Sequence, residues 1–181
     1  MNLLSLEHER LGYAADFALY GLAIGLLALD LLAEGPHAHW MALSGYTLAG
    51  LLLWSPIEYL LHRFVLHGLA PFKHWHARHH ERPTALISSP TVFSASLIVL
   101  LVFLPALLVS DRWRASAFTL GILIGYTSYG LTHHAMHHWH GGRWLRGRKR
   151  WHALHHHDGA RGECFGVTSA LWDYLLGSAH R

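Results

Sequence analysis

The residues with the clearest capacity for chemistry in this sequence are histidines, which recur in two copies of one pattern. Residues 75–80 read WHARHH and residues 151–156 read WHALHH, so the histidine spacing and the flanking tryptophan and alanine are repeated. The chain holds 19 histidines, against 14 lysines and arginines and 11 acidic residues. Neutral imidazole is a ligand for zinc, copper, iron and nickel. The repeated pattern therefore predicts a metal site.

Each copy places three imidazoles at positions i, i+3 and i+4, which span about 100° of arc on a helix and can point into one cavity. Two further segments, HRFVLH at 62–67 and THHAMHH at 132–138, each precede one copy. His133 and His137 share a helical face, with His138 as the alternative to His137. His62 and His67 share one only if the helix end unwinds or distorts.

Together these four segments supply ten candidate metal ligands, which is enough for two ions with about five nitrogen ligands each. A closed tetrahedral zinc site needs only four ligands, so ten ligands favour two larger coordination shells. The residues alone leave the metal open. The ten candidates are His62, His67, His76, His79, His80, His133, His137, His152, His155 and His156.

Glu58 lies four residues before His62, on the same helical face and near the end of an apolar stretch. An ionisable side chain at that depth in a membrane is costly and is a functional candidate by default. We expect its carboxylate to orient a ligand imidazole. The alternative is that the acid reaches the lipid headgroups.

The helices that must position these histidines are apolar enough to cross a membrane. Hydrophobic residues make up 52% of the chain, and four stretches approach the roughly 20 residues needed to span the hydrocarbon core. We predict an all-α integral membrane protein with four transmembrane helices at about 11–33, 40–61, 91–110 and 115–133. The single cysteine, Cys164, cannot form an internal disulfide. No nucleic-acid partner is expected.

The distribution of positive charge predicts the orientation. Lysine and arginine are frequent between the second and third spans and after the fourth, whereas the opposite side has only Arg112 and Arg114. Positive residues favour the cytoplasmic side of a membrane. We therefore expect both histidine patterns and both termini to be cytoplasmic. The basic segment GGRWLRGRKR at 141–150 is expected to be a glycine-punctuated loop, and 165–178 a short helix begun by Thr168 or Ser169.

Five stretches resemble the fatty acid hydroxylase superfamily of integral-membrane di-iron enzymes, and within it the fatty acid 2-hydroxylases. They are EYLLHRFVLHG (58–68), HARHHERP (76–83), YGLTHHAMHH (129–138), HALHH (152–156) and FGVTSALWDYLLGS (165–178). The resemblance implies one domain over residues 1–181, with a four-helix membrane part and a cytoplasmic histidine-rich helical cap formed by 62–90 and 134–181. It also implies two iron ions bound by the ten histidines; zinc can occupy such sites in purified protein.

The activity implied is O2-dependent hydroxylation of a long acyl chain in a membrane lipid or fatty acid, at C2. The four-residue gap between His62 and His67 also resembles beta-carotene hydroxylases, so carotenoid ring hydroxylation, or another lipid oxidation within the superfamily, is an alternative. Paired histidines on membrane helices can also ligate haem iron. A bis-histidine membrane haem protein is therefore an alternative of another class.

Two further expectations concern substrate and electrons. Tyr129 matches the tyrosine of the family's third motif and is a candidate to line the substrate path, but Gly130 replaces the aspartate that commonly follows it. Animal and fungal relatives often begin with a cytochrome b5 domain that is not seen here, so a separate ferredoxin or cytochrome b5 type donor is expected. Such a donor would be acidic and would meet the basic run Arg146, Arg148, Lys149 and Arg150. The alternative is that this run only sets the orientation and contacts anionic lipid.

Overall fold

The computed structural model describes residues 7, 9–157 and 163–180, where helices joined by turns and irregular segments are accompanied by one isolated bridge between Glu7 and Ile87. The α-helices in chain order are α1 (Arg10–Glu34), α2 (Trp40–Leu60), α3 (Phe72–Glu81), α4 (Thr91–Ile98), α5 (Leu104–Val109), α6 (Arg112–His138), α7 (Arg143–His157) and α8 (Leu171–Leu175). A 3-10 turn at His37–His39 precedes α2. Two π-helical turns, Leu61–Leu66 and Val99–Phe103, follow α2 and α4.

The described chain contains two helical stretches that are long and apolar enough to cross a membrane, Arg10–Glu34 and Thr91–Val109. Only 11% and 6% of their apolar windows are buried within the protein, so neither is the core helix of a soluble fold. Leu26 and Leu29 of the first stretch and Leu101 and Leu108 of the second are all more than half exposed. Lipid tails would cover such a surface, and these helices indicate a membrane protein.

The other two predicted spans, 40–61 and 115–133, coincide with α2 and α6, which are long enough to cross a membrane but less apolar than the two stretches above. Polar residues interrupt α2 at Ser44 and Thr47 and α6 at Thr119 and Thr127. A span count of four therefore remains a prediction.

The chain divides into two compact units. The first comprises Met1–Trp54 and Leu86–Thr127, and the second comprises Ser55–Ala85 and Ser128–Arg181. In the first unit Leu31, Leu43 and Leu120 form a core around the fully buried Ala117. Tyr20 of α1 bonds Ser94 of α4 there through their hydroxyl groups, at 2.7 Å.

The second unit contains all ten candidate histidines and has its own apolar core of Ala135, Met136, Leu145 and Val167. The prediction of a loop at 141–150 is wrong, and the burial of Leu145 gives the reason. The segment begins α7 at Arg143, and Leu145 is buried in this core. Glycine inside a helix costs about 1 kcal/mol, but tertiary packing of an apolar side chain outweighs that propensity.

The short helix expected within 165–178 is present as α8, but its N-cap is Ala170, without a side-chain cap bond, rather than Thr168 or Ser169. The Ser169 hydroxyl accepts the backbone N–H of Leu171 at 3.1 Å, whereas Thr168 is engaged by Glu58. Gly177 follows the helix with a φ of 71°, a left-handed conformation that glycine adopts without the penalty of a Cβ atom.

In the first unit α2 and α6 pack backbone to backbone at two glycines. A Cβ atom on Gly121 would clash with the carbonyl oxygen of Thr47, and one on Gly50 would clash with that of Phe118. Neither clash can be relieved by a side-chain rotation. We predict that Gly121→Ala lowers stability by about 1–3 kcal/mol, measured by thermal unfolding in detergent.

Gly45→Ala is the matched control, because Gly45 also lies in α2 but has open space around its added methyl group. This change should be neutral or stabilise the protein by up to about 1 kcal/mol, through the higher helix propensity of alanine. Equal effects of the two substitutions would contradict close packing at Gly121.

Candidate metal centre

The ten histidines lie in two groups of five, each with one ring nitrogen per residue directed inward. Within each group these nitrogens all lie within 4.8 Å of one another. Group 1 consists of His62, His67, His76, His80 and His155. Group 2 consists of His79, His133, His137, His152 and His156. The groups are neighbours, since the rings of His80 and His156 stack with centroids 4.2 Å apart.

Each repeated pattern contributes to both groups, which differs from the expectation that its three imidazoles share one cavity. In α3, His76 and His80 enter group 1 and His79 enters group 2. The reason is helical geometry: at 100° per residue, positions i and i+4 are about 40° apart, whereas i+3 lies about 60° away on the other side. In α7 the same split runs the opposite way, with His155 in group 1.

The rings of His62 and His67 lie close together because the end of the helix is distorted. A distortion of this kind is what their five-residue separation requires. Residues 61–66 form a π-helical turn, and the N–H of His67 bonds the carbonyl of His62 at 3.2 Å. This wider turn brings residues five apart onto one face, and the two ring centroids are 5.2 Å apart. Single π-helical turns within helices are frequent at functional sites.

The nitrogen spacings fit a transition metal ion. Neighbouring Nε2 atoms are 3.0 Å apart between His62 and His76, and 2.9 Å apart between His137 and His152. With metal–nitrogen bonds of about 2.1 Å, ligands at right angles are about 3.0 Å apart and opposed ligands about 4.2 Å. Five nitrogens within 4.8 Å therefore match one ion in each group.

The hydrogen bonding of the imidazole rings is also consistent with metal binding. Both ring nitrogens of His79 and the Nε2 of His133 are buried without a hydrogen-bond partner among the described residues. A buried polar atom without a partner costs about 1–3 kcal/mol, which a metal bond would offset. In group 1, the Nδ1 atoms of His62 and His155 bond the carbonyl oxygens of Phe165 and Glu163. Because Nδ1–H donates to a carbonyl, Nε2 keeps its lone pair for a metal.

A family model described as fatty acid hydroxylase matches residues 47–178 of this chain. The chain belongs to the fatty acid hydroxylase family. The matched segment contains all ten histidines and most of α2, together with every later helix.

Individual proteins that are similar in sequence support the same family assignment. A dihydroceramide fatty acyl 2-hydroxylase from Arabidopsis thaliana is 35% identical over 141 residues, which cover 71% of this chain and 58% of that protein. A human fatty acid 2-hydroxylase is 32% identical over 146 residues, covering 73% of this chain and 38% of the relative. The solved hydroxylase domain of scs7p has a TM-score of 0.73 at 24% identity, covering 93% of this chain and 65% of that one. This chain thus spans less than two thirds of each of these proteins.

Two predicted residues occupy positions that differ from expectation. The carboxylate of Glu58 accepts hydrogen bonds from the N–H groups of Val167 and Thr168 and from the Thr168 hydroxyl, so it holds a loop and does not bond a histidine directly. Arg148 is half-buried and donates to the carbonyls of Gly166 and Val167 on that same loop. It is therefore not available for a docking surface.

The remaining predicted residues are placed as follows. His137 belongs to group 2, whereas the ring of His138 stacks on His134 with centroids 4.4 Å apart, which decides between the two histidines. Tyr129 packs against the apolar core of the second unit, and its ring lies parallel to that of His133 at 6.1 Å. Arg146 and Arg150 are exposed, and Lys149 is half-buried.

Sequence reasoning missed the loop at residues 163–168 and its anchor Asp173, which is completely buried. The loop lies beyond the histidine patterns and contributes backbone carbonyls rather than side chains. A sequence carries no local signal for such a role. The one clue to the anchor is Asp173, the acidic residue within the otherwise mostly apolar tail FGVTSALWDYLLGS.

A cavity of about 520 Å³ borders both histidine groups. His67 and His80 of group 1 and His156 of group 2 line it, together with the charged residues Lys73 and Glu81. This cavity therefore gives access to both histidine groups beside α3.

Burial and the mutual proximity of the rings keep these imidazoles neutral, as metal binding requires. Burial first, and then the charges that neighbouring imidazolium groups would carry, lower the pKa values well below the ordinary range. The values are about 4 for His67, about 3 for His79, about 2 for His80, and about 4 for His137 and His156.

These depressed pKa values predict an acid-sensitive fold in the metal-free protein. Unfolded histidines take up protons below about pH 6.5, whereas the folded ones resist until about pH 4, so stability is present above pH 6.5 and is lost as pH falls. Chelator-treated protein should therefore unfold at a lower temperature at pH 5 than at pH 7.5. His79→Gln should weaken this pH dependence, and a change at the exposed His39 should leave it intact. Identical pH profiles for both variants would contradict the assignment.

Proposed function

We propose that this protein is an integral-membrane, O2-dependent hydroxylase of a long acyl chain, acting at C2 of a fatty acid or of the acyl part of a lipid. The observation that carries the proposal is the convergence of ten imidazole nitrogens into two adjacent groups of five. The printed names of the relatives, fatty acid and dihydroceramide fatty acyl 2-hydroxylases, support the substrate class and the position.

We propose two iron ions as the bound metals, one in each histidine group, with O2 as co-substrate. Bound there, the metal pair would supply the redox chemistry that activates O2 for insertion into a C–H bond. The chain's own contribution is to hold ten neutral nitrogens at ligand spacing. The carbonyls of Phe165 and Glu163 fix the tautomers of His62 and His155. Zinc also prefers such nitrogen ligands and can replace iron during purification.

The topology we propose follows the distribution of charge. Residues 1–181 would form one hydroxylase domain with spans at about 11–33, 40–61, 91–110 and 115–133, and with 62–90, 134–181 and both termini on the cytoplasmic side. The cavity beside the charged residues Lys73 and Glu81 suits the approach of water-soluble reactants. An acyl chain would reach the site from the membrane, where Tyr129 is the candidate to line its path.

The other functions weighed from the sequence have less support. A bis-histidine haem requires a flat macrocycle between its two axial ligands. Here five rings crowd within each group, and Nε2 atoms 3.0 Å apart, as in His62 and His76, leave no room for one. The relatives reported above are named for fatty acyl substrates, and none of them supports carotenoid hydroxylation.

Lipid mass spectrometry tests the proposed activity. Cells producing the protein should accumulate acyl lipids that have gained one oxygen atom, and fragmentation should locate the hydroxyl group at C2. His79→Ala and His155→Ala should abolish this product, because each removes one ligand from a different group. Lipids without the added oxygen in producing cells, or equal amounts in the variants, would reject the proposal.

We also propose that a separate acidic electron donor, of ferredoxin or cytochrome b5 type, docks on the exposed part of the basic run. Arg146, Lys149 and Arg150 remain candidates for this contact. Complementary charge raises association rates by about 10-fold or more at low ionic strength. Arg146→Gln combined with Arg150→Gln should therefore lower the donor-dependent rate several-fold, while turnover with a small chemical reductant stays unchanged.

Arg114→Gln is the matched control for this experiment, because it removes one positive charge from the side of the chain predicted to face away from the cytoplasm. It should leave both rates unchanged. A donor-dependent rate that is insensitive to the paired Arg146 and Arg150 change would place the donor elsewhere.

A further inference from the structure

The loop at residues 163–168 is held by an anchor that is buried out of reach of solvent. Asp173 is 0% exposed, and its carboxylate accepts hydrogen bonds from the backbone N–H groups of Phe165 and Gly166 at 2.8 and 2.9 Å. It also accepts from the Ser178 hydroxyl and from Nε1–H of Trp151. Four donors satisfy the buried charge, which makes the loop and its anchor one rigid piece.

The same loop carries the carbonyl groups that orient two metal ligands. The Phe165 carbonyl accepts Nδ1–H of His62, and the Glu163 carbonyl accepts Nδ1–H of His155 at 2.9 Å. Cys164 stands between them with a φ of 58°, a left-handed conformation that is uncommon for a residue with a side chain. Such a conformation persists only where its surroundings enforce it, as Asp173 does next door.

Two further side chains hold the end of the loop. Glu58 accepts both backbone N–H groups of Val167 and Thr168, at 2.9 and 2.8 Å, and Arg148 donates to the carbonyl of Val167 at 2.9 Å. Gly166 has no room for a side chain, because an added Cβ atom would lie 2.7 Å from Asp173 Oδ2. The loop therefore has little freedom to shift relative to the histidines.

This support reaches group 1. His62 and His155 both belong to it, and the ring of Phe165 packs against His62 and His155 with centroids 5.8 and 5.4 Å away. In group 2, the Nδ1 atoms of His79, His152 and His156 are buried without a hydrogen-bond partner in the described parts of the chain. Their rings are aligned by packing on one another.

We infer that Asp173, assisted by Glu58, is a positioning residue for one metal ion of the pair, so that group 1 binds a divalent transition metal more tightly than group 2. The inference builds on the proposed two-metal centre and goes beyond it by making the two positions unequal. A hydrogen bond from the far ring nitrogen fixes the orientation of a ligand histidine and raises its basicity, and losing such a partner costs about 10- to 100-fold in affinity. Group 1 has two of these bonds.

Asp173→Asn is the direct test, because asparagine keeps the shape and cannot satisfy both loop N–H groups. Whichever way its amide is oriented, either Phe165 or Gly166 loses its acceptor. We would titrate chelator-treated protein in detergent with Co²⁺, following binding by calorimetry and the d–d absorption of each ion. Wild-type protein should bind two ions with affinities at least about 10-fold apart. The variant should lose about 10-fold or more at the tighter site alone.

Two ligand variants assign the sites. His79→Ala should leave the group 1 ion, and adding Asp173→Asn should then weaken the remaining ion. His67→Ala should leave the group 2 ion, and adding Asp173→Asn should not change its affinity. Glu58→Gln provides a milder version of the anchor change and should act in the same direction, and it serves if Asp173→Asn does not fold.

Tyr20→Phe is the control for a general loss of buried hydrogen bonding. It deletes a buried hydroxyl that bonds Ser94 at 2.7 Å in the first unit, and it leaves every hydrogen bond of the loop and of Asp173 in place. Its two Co²⁺ affinities should match those of the wild type. Equal wild-type affinities, or an Asp173→Asn effect shared by both sites, would overturn the inference while leaving two metals in place. Fewer than two ions bound by wild-type protein would overturn the proposed centre itself.

Discussion

The second unit depends on one constraint, which is that ten imidazoles in two tight groups must stay neutral and aligned. Five ring nitrogens within 4.8 Å of one another cannot all carry protons, because the charges would repel one another at that distance. Burial lowers their pKa values and keeps them neutral, but neutral lone pairs that face each other also need a common partner. A bound metal ion would be that common partner, and the surrounding structure must keep the rings aligned to receive it.

The helices meet this constraint by departures from regular geometry. A π-helical turn at Leu61–Leu66 brings His62 and His67 to one face, where a regular helix would separate them. The i+3 histidines, His79 and His155, cross to the group opposite their neighbours. This exchange ties α3 and α7 to both groups, so that the two histidine groups are built from shared helices.

The polar residues near the histidine groups form hydrogen bonds with the backbone of one loop rather than with the imidazole rings. Glu58, Arg148 and Asp173 all end on residues 165–168, and the loop in turn presents two carbonyls to group 1. A hydrogen-bonded network of this kind is worth more than its separate bonds, because each member limits the motion of the others. In the first unit, by contrast, the stretches Arg10–Glu34 and Thr91–Val109 are apolar and mostly exposed, which fits a role in the membrane.

The sequence by itself determined which ten histidines converge, the helical fold class and the family, because histidine spacing and apolar run length are local properties that a chain shows before it folds. It also predicted that the helix must be distorted between His62 and His67. Only the tertiary structure decided which histidine joins which group, since the use made of a difference of about 100° in direction depends on where the neighbouring helices lie. It also moved Arg148 from a surface to a loop anchor, turned the basic segment at 141–150 into a helix, and revealed Asp173. Those outcomes depend on burial of Leu145 and on backbone carbonyls, and neither leaves a pattern in the sequence.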